Sequence, residues 1–397
     1  MPLMTVPRHL PSALRAASLA LAVILSACVS NPPAPSGNAG SLKQSVQSLA
    51  NDLTAQINPN MLERMKSRKL VLDPFIDAKS GQQTQSTQLA AQLFASHINS
   101  QQGNLRLHPF DVAGVEQADY LVAGTLQANA NKGTDYQLIA TITERRTGLV
   151  IARAVSRVRA DEIDATPTAF FTDSPSLVSD RLTEGQIRTS QAAVGSQADQ
   201  AYLASISTGA VINEADQAYE ASQWQKALQR YQTAVQRSDG QQLRVFNGLY
   251  NTQLKLGHQQ EAEAAFGQIV ALGLGTNNLA MRLLFNPGTT EFWKDPIVSS
   301  PYPMWLRHIA RETAQGDYCL TVIGHTSRTG TEAVNARLSQ SRAKVVRDTL
   351  VQNDKRLATR IDTDGVGWRN NIIGSGTDDA RDALDRRVEF KVRGCNR

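Results

Sequence analysis

The number and positions of the cysteines limit what these residues can do. The chain has three cysteines, at positions 28, 319 and 395. A thiol can take a lipid, form a disulfide or bind a metal, but three are too few for a disulfide scaffold or a zinc-ribbon array. Cys28 directly follows a short apolar run, whereas Cys319 and Cys395 lie towards the end of the chain. We therefore expect Cys28 to have a different role from the other two.

No sequence motif places a catalytic group. The chain has no Gly-x-Ser-x-Gly elbow, no phosphate-binding loop and no His-Glu-x-x-His zinc motif. Its six histidines are scattered, and no motif pairs two carboxylates for glycan cleavage. The sequence therefore predicts a protein that is not an enzyme and that has no cofactor and no metal.

Length and composition limit the remaining classes of protein. The chain has 397 residues, with 41 Lys+Arg against 36 Asp+Glu, so its formal charge is +5. This length predicts two or three domains, because single cores stop growing near about 250–300 residues. With 41% hydrophobic and 19% charged residues, the chain is too apolar to be disordered and too polar to span a membrane many times. The weak, dispersed positive charge argues against a dedicated nucleic-acid binder.

Residues 1–27 are predicted to be a targeting segment that is removed. Arg8 and Arg15 lead into the apolar run 16–27, which is too short to cross about 30 Å of hydrocarbon as a helix and is typical of a secretory signal. The run ends in Leu25-Ser26-Ala27-Cys28, which resembles a bacterial lipobox. That resemblance implies that Cys28 carries the lipid, palmitate included, and becomes the mature N-terminus. The alternative is an ordinary signal peptide with an incidental cysteine.

Residues 28–40 are predicted to be a flexible tether, because they are rich in Pro, Gly and Ser and have no periodicity. Removal of residues 1–27 leaves 39 basic against 36 acidic residues, a net charge of +3. Position 29 is Val rather than Asp, and in lipoproteins of Gram-negative bacteria the absence of Asp there implies transfer to the outer membrane. The predicted location is therefore the periplasmic face of the outer membrane, with the protein held by its lipid.

Residues 41–160 show helix and strand patterns in the order α-β-α-β-β-β-β, which predicts an α/β sandwich. The segments LVLDPFID, STQLAAQL and ADYLVAGTL within it resemble the periplasmic lipoprotein domain shared by LpoB, FlgO and CsgG-like proteins. A helix is expected over 41–65. Residues 161–190 are rich in Thr, Pro, Ser and Asp, and this composition predicts a linker.

Residues 191–278 are predicted to be helical and contain a repeat. Six positions recur after 35 residues, pairing Ala215, Tyr219, Trp224, Ala227, Tyr231 and Ala234 with Tyr250, Leu254, Gln259, Ala262, Phe266 and Ile269. This period is close to the ~34 residues of a tetratricopeptide repeat. Gly257 is expected at a turn that needs left-handed backbone. The alternative is a plain helical hairpin that links two domains.

Three motifs follow one another in residues 279–397. They are Gly324-His-Thr-Ser-Arg-Thr-Gly330 (the pattern GHTDxxG), Asn335-Ala-Arg-Leu-Ser-Gln-Ser-Arg-Ala343 (NxxLSxxRA) and Asp385-Arg-Arg-Val-Glu389 (NRRVE). Together with an expected strand at 283–286 and an expected helix at 305–314, they resemble the OmpA-like domain, the peptidoglycan-binding module also found in Pal. The resemblance implies a C-terminal α/β sandwich that binds the diaminopimelate stem peptide of peptidoglycan.

The same resemblance assigns the main ligand contacts. Diaminopimelate presents a carboxylate and an ammonium group, and the Arg of LSxxR, here Arg342, binds the carboxylate with its guanidinium fork. The Asp of GHTD, which binds the ammonium, is replaced by Ser327. Loss of that charge weakens binding by about tenfold unless another anion compensates. Asp378, Asp379 and Asp382 are candidates for that anion.

Four further residues complete the predicted site: Thr326, Asn335, Asn286 and Arg387. Arg386 and Arg387 are adjacent on a strand and point to opposite faces, so that one faces the ligand and the other is structural. Asn335 is expected to fix the start of a helix, with a ligand contact as the alternative.

Three residue types in and around this domain are predicted to be structural. His325 belongs to a loop and is not expected to be a catalytic base, and the four tryptophans are expected to pack in cores. Cys319 starts one strand and Cys395 follows the last one. If those strands are antiparallel neighbours, the two cysteines meet and form a disulfide; the alternative is two unpaired thiols.

The sequence as a whole predicts an α+β multidomain chain made of an α/β sandwich, tetratricopeptide-like repeats and an OmpA-like sandwich. The predicted function is that of a lipoprotein that binds peptidoglycan non-covalently and tethers the outer membrane to the cell wall. The alternative is a periplasmic regulatory adaptor for a peptidoglycan synthase or a flagellar or secretion assembly, with weakened peptidoglycan binding. Its expected partners are peptidoglycan, the outer membrane and a periplasmic protein, but no nucleic acid.

Overall fold

A computed structural model describes residues 36–57, 67–101, 104–129, 135–177, 181–286, 288–371, 376 and 385–395. Cys28, the predicted signal segment, the end of the helix expected over 41–65, and Asp378, Asp379 and Asp382 lie outside these residues. Within the part of the chain that is described, no helix is both long enough and apolar enough to cross a membrane.

The first part of the chain alternates strands and helices, and its elements are β1 (Ser36–Gly40), α1 (Leu42–Gln56), β2 (Arg68–Leu72), β3 (Ile76–Asp77), α2 (Gln85–Ser100), β4 (Leu105–His108), α3 (Val112–Gln117), β5 (Tyr120–Ala128), β6 (Asp135–Glu144) and β7 (Val150–Arg159). The strands form one sheet in the order β1-β7-β6-β5-β2-β4, with β3 beside β5. β5, β6 and β7 pair antiparallel, and the other pairings are parallel. Since β1 belongs to the sheet, the prediction of a flexible tether is wrong for residues 36–40.

The helices α1 and α2 start at residues that cap them. Gln44 donates its backbone N–H to Ser41 Oγ at 3.3 Å, and the Gln44 side chain accepts from the Ser41 N–H at 3.1 Å. Thr84 and Thr87 form the same reciprocal pair at the start of α2. Such capping satisfies backbone donors that a helix start leaves without partners. The apolar faces of both helices then pack on one side of the sheet, where Leu49 is fully buried.

The following helices are α4 (Ala169–Asp173), α5 (Arg181–Gln191), α6 (Gln200–Ala204), α7 (Ile206–Glu220), α8 (Trp224–Val235), α9 (Leu243–Lys255) and α10 (Gln259–Gly275). The prediction of a linker over residues 161–190 is wrong, because much of this segment is packed. Phe170 and Phe171 of α4 are buried, and Thr141 of the sheet donates its hydroxyl to the Thr189 carbonyl of α5 at 3.0 Å. Helices therefore cover the second face of the sheet as well, which the sandwich predicted for residues 41–160 did not include.

The helices α7 to α10 pack in sequence, each against the next. Ala227 and Tyr231 of α8 are fully buried, and so are their counterparts in α10, Ala262 and Phe266. Gly257 has a φ of +79°, as expected for its turn, and Ser222, which lies 35 residues earlier, has a φ of +57°. The two turns therefore share the same left-handed backbone conformation.

The last part of the chain has the elements β8 (Leu279–Met281), α11 (Pro296–Ser299), α12 (Tyr302–Gln315), β9 (Cys319–Gly324), α13 (Glu332–Asn353), β10 (Ile361–Gly365) and β11 (Val388–Arg393). They form a sheet in the order β10-β9-β11-β8, and α12 confirms the helix expected over 305–314. The first strand is β8, so the strand expected over 283–286 is wrong. After Met281 the chain leaves the sheet and enters a loop, in which the Asn286 N–H donates to the Glu291 carbonyl at 2.9 Å.

A disulfide joins Cys319 and Cys395, whose Cα atoms are 5.3 Å apart. The antiparallel pairing on which that expectation depended is present, because β11 lies beside β9 with Arg393 opposite Cys319. The bond therefore links the start of β9 to the residues that follow the last strand.

One core crosses the predicted domain boundary between residues 278 and 279. The Trp305 ring of α12 stacks on the Phe266 ring of α10, with centroids 5.5 Å apart and planes 8° from parallel. Trp305 Nε1 also donates to the Tyr250 hydroxyl at 3.0 Å. Residues of α9, α10 and the C-terminal sheet belong to the same buried apolar cluster. The last two regions are thus packed together, and the described part of the chain forms one compact unit.

A buried polar network lies where the first sheet meets the helices. The Tyr202 hydroxyl donates to Asp73 Oδ2 at 2.5 Å, beside a cavity of about 50 Å³ that Arg244 also lines. Arg244 Nε in turn donates to Asp216 Oδ2 at 2.8 Å. Burial raises the pKa of Asp73 to about 6, although the Tyr202 hydrogen bond and the Arg244 charge both lower it.

Asp73→Asn is expected to gain stability relative to the parent chain as the pH rises. A carboxyl whose pKa is raised on folding stabilises the fold below its ordinary pKa, and that stability is lost as the pH rises through its folded value. The shift from 3.8 to about 6 corresponds to about 3 kcal/mol between pH 3.5 and pH 7.5. Urea unfolding of both proteins across this range measures the difference. A difference that stays constant with pH would contradict the assignment.

Candidate functional site

A cavity of about 320 Å³ lies in the C-terminal part of the chain. Four segments form its wall: the loop after β9, the N-terminal half of α13, the loop after β8 and the residues just before β11. The residues that line it are Phe285, Gly288, Trp293, Thr326, Ser327, Thr329, Gly330, Val334, Asn335, Leu338, Arg342 and Arg386. The cavity therefore brings together four of the residues predicted for the site: Arg342, Ser327, Thr326 and Asn335.

Arg342 projects from α13 into the wall and is only 3% exposed. Its Nε donates to the Thr289 carbonyl at 3.0 Å, and its Nη2 donates to the Asn286 carbonyl at 3.2 Å. The guanidinium also lies 4.9 Å from the centre of the Phe285 ring, a cation–π contact. Arg342 thus supplies a cation to the cavity and holds the loop that closes one side of it.

The loop after β9 presents hydroxyl groups to the cavity. Ser327 is buried, and its Oγ lies 3.4 Å from Thr329 Oγ1. Thr326 Oγ1 is buried with no hydrogen-bond partner among the described residues. Asn335 donates its side-chain amide to the Thr329 and Thr331 carbonyls at 2.6 and 3.1 Å. Thr331, not Asn335, is the N-cap of α13, so Asn335 fixes the loop that carries the hydroxyls.

The structure places Arg386 in the cavity and Arg387 outside it. Arg387 donates to Glu389 Oε1 at 2.7 and 3.0 Å and to the Asn370 carbonyl at 3.2 Å. The structure therefore does not bring Arg387 to the predicted site, and Arg386, which points to the opposite side, lines the cavity instead. The alternation alone does not determine which of the two arginines faces the cavity.

Glu389 compensates the charge of Arg387 behind the loop. Burial alone would raise the pKa of Glu389, but His325 and Arg387 outweigh it and bring the pKa to about 2. His325 Nε2 lies 3.4 Å from the same carboxylate, and burial lowers the pKa of the imidazole. His325 does not line the cavity, so this cluster supports the loop from behind.

Asn286 does not line the cavity, and both its side chain and its backbone hold the loop after β8. Its Oδ1 accepts from the Lys294 N–H and its Nδ2 donates to the Phe292 carbonyl, both at 3.2 Å. These contacts shape the loop, and the Asn286 carbonyl accepts from Arg342. Trp293 of this loop lines the cavity, although the sequence predicted a packing role for it. In the described residues, no group of His, Cys, Asp and Glu side chains could hold a metal ion.

Residues 297–384 match the family model described as the OmpA family. The C-terminal part of the chain has an OmpA-like domain. Outer membrane protein A of Shimwellia blattae is 40% identical over 86 residues, which are 20% of this chain and 35% of that protein. Peptidoglycan-binding protein ArfA of Mycobacterium bovis is 35% identical over 96 residues, which are 24% of this chain and 29% of that protein. The chain thus spans about a third of the length of these relatives.

The OmpA-like domain is also similar to solved structures. The crystal structure of the peptidoglycan-associated lipoprotein from Burkholderia pseudomallei shares 21% identity, with a TM-score of 0.24, over 28% of this chain and 88% of that one. Eight of the twelve residues that line the cavity lie within the segment that matches the family model, whereas Phe285, Gly288 and Trp293 precede it and Arg386 follows it. The cavity is therefore a feature of the OmpA-like domain.

Proposed function

We propose that the OmpA-like domain binds the stem peptide of peptidoglycan in the 320 Å³ cavity. The observation that carries this proposal is Arg342, which is held in the cavity wall by two backbone carbonyls. A guanidinium in that position suits a carboxylate, because charge-assisted hydrogen bonds are shorter and stronger than neutral ones. The similarity to a protein named for peptidoglycan binding supports the same ligand.

The described wall residues also explain what kind of stem group would fit. They include two arginines, Arg342 and Arg386, and hydroxyls at Thr326, Ser327 and Thr329, but no acidic residue. The cations suit a carboxylate, and the hydroxyls of Ser327 and Thr326 are neutral acceptors for an ammonium group. A diaminopimelate residue would thus be recognised mainly through its carboxylate.

We further propose that a lipid on Cys28 anchors the chain to the outer membrane, so that the protein tethers this membrane to the cell wall without catalysis. The lipobox-like Leu25-Ser26-Ala27-Cys28 supports the anchor. For residues 191–278 we propose a tetratricopeptide-like arrangement, supported by the left-handed turns at Ser222 and Gly257. The likeness of residues 41–160 to LpoB, FlgO and CsgG-like proteins remains part of this proposal, as does a periplasmic protein partner.

Arg342→Lys is expected to weaken binding of the full chain to purified sacculi by about tenfold or more. Lysine keeps the charge but loses the planar fork that grips a carboxylate, and it cannot hold both loop carbonyls. Co-sedimentation over a range of sacculus concentrations measures the effect.

Arg347→Lys is the matched control. Arg347 lies on the same helix and also donates to two carbonyls, those of Ala358 and Ile361, but it does not line the cavity. Thermal unfolding of both variants separates lost binding from lost folding. The proposed function would be contradicted if both variants lost sedimentation equally. It would also be contradicted if the parent chain did not sediment with sacculi.

A further inference from the structure

Trp293 differs from the other tryptophans of the chain. The Trp224 ring lies 4.9 Å from Tyr219, the Trp305 ring stacks on Phe266, and the Trp368 ring lies 5.2 Å from the Arg328 guanidinium. In the part of the chain that the structure describes, Trp293 has no ring, cation or side-chain hydrogen-bond partner. It is half-buried in the cavity wall. Its indole therefore lines the cavity without an aromatic or cationic partner from the described residues.

Backbone hydrogen bonds within the loop after β8 determine the position of Trp293. The Trp293 N–H donates to the Leu284 carbonyl at 3.0 Å, and Phe285 and Phe292 form an antiparallel bridge beside it. Arg342 fixes the other side of the same loop through the carbonyls of Asn286 and Thr289. Contacts of one loop thus place both the indole and the guanidinium in the cavity wall.

The cavity also has room and chemistry for more than a carboxylate. Its 320 Å³ falls within the range of about 300–1,000 Å³ for small-molecule sites. Beside the arginines and hydroxyls, the wall contains apolar side chains, namely Phe285, Val334 and Leu338, in addition to Trp293. A ligand that fills it should carry an anionic group and a second group with an apolar face and polar edges.

We propose that Trp293 binds the face of a sugar ring of the glycan strand while Arg342 binds a carboxylate of the stem attached to it. The proposal rests on the proposed function and narrows the ligand from a free stem peptide to a stem linked to its glycan. An aromatic ring has a negative face, which attracts the slightly positive C–H groups on one side of a pyranose. The sugar hydroxyls remain at the edge of the ring, where water reaches a half-buried site.

Calorimetric titration of the full chain with two ligands tests this proposal. One ligand is the disaccharide–tetrapeptide containing diaminopimelate, and the other is the same tetrapeptide without sugars. The parent chain is expected to bind the first about tenfold more tightly, the scale of an aromatic stacking contact. Trp293→Ala should weaken binding of the sugar-linked ligand about tenfold more than binding of the free peptide and so remove this preference, whereas Trp293→Phe should keep part of it.

Trp368→Ala is the matched control, because Trp368 is also half-buried in this domain but does not line the cavity. It should keep the full preference for the sugar-linked ligand. Equal affinity of the parent chain for both ligands, or equal weakening of both by Trp293→Ala, would overturn the proposal while leaving peptide binding intact. If the parent chain bound neither ligand, the proposed function would fail, and this inference with it.

Discussion

Replacement of Trp305 by alanine is expected to lower the free energy of unfolding by about 3–5 kcal/mol, the usual cost of deleting a large buried aromatic ring. Trp305 is 6% exposed, stacks on Phe266 and donates to the Tyr250 hydroxyl. The substitution leaves a cavity and removes the donor from a buried hydroxyl, both of which destabilise. Urea unfolding followed by far-ultraviolet circular dichroism measures the loss.

The same experiment tests whether residues 243–390 share one core. Because Trp305 joins α12 to α9 and α10, the variant should unfold its helical and C-terminal regions in a single transition at lower urea. Trp224→Ala serves as the comparison, since Trp224 is half-buried at the edge of a different cluster and should cost less. Two separate transitions, of which only the C-terminal one shifts, would contradict the shared core.

Reduction of the Cys319–Cys395 disulfide is expected to cost about 4.5 kcal/mol of stability. The bond closes a loop with a sequence separation of 76, and in the chain-entropy model a loop of that length restricts the unfolded chain by about this amount. Unfolding of a Cys28→Ser chain in urea, with and without dithiothreitol, measures the difference without interference from the third thiol.

A Cys319→Ser/Cys395→Ser variant provides the control for reagent effects. It should match the reduced chain in stability and should not respond to dithiothreitol. The loss is expected to fall first on β11, whose far end the bond holds against β9. If the oxidised and reduced chains unfolded at the same urea concentration, the disulfide would have no stabilising role.

The core of the site could be predicted because its residues belong to short motifs. Ser327 lies in the loop three residues after the end of β9 and Arg342 lies within α13, and both positions follow from the motifs that contain them. Two other members could not be placed in this way. Whether Arg386 or Arg387 lines the cavity depends on how the chain enters β11. The orientation of β11 is in turn set by its pairing with β9, which is distant in the sequence. Trp293 lies in a loop that Arg342 holds against the cavity. The hydrogen bond that does so joins Arg342 to Thr289, more than 50 residues away in the sequence.

Composition misled the prediction for residues 161–190 for a related reason. Ser and Thr indicate loops when their hydroxyls face water, but here several are buried and bonded within the fold. Ser176 donates its hydroxyl to the Asn247 side chain of α9 at 3.2 Å, and Thr125 Oγ1 lies 3.1 Å from Ser190 Oγ. A polar side chain that finds such a partner is compatible with burial. The helix expected over 305–314, by contrast, agrees with α12.

The position of β1 determines which part of the fold would bear a force applied through the proposed N-terminal anchor. Ser36 pairs with Ser156 and Gly40 with Val158 at the edge of the first sheet. The tether proposed for residues 28–40 is therefore shorter by the five residues of β1. From Cys28 to Ser36 there are eight residue steps, which span at most about 26–29 Å. Tension between membrane and wall would therefore pull directly on an edge strand whose two ends pair with β7, with an irregularity in the register between them. The first sheet, and not a slack polymer, would bear the mechanical load.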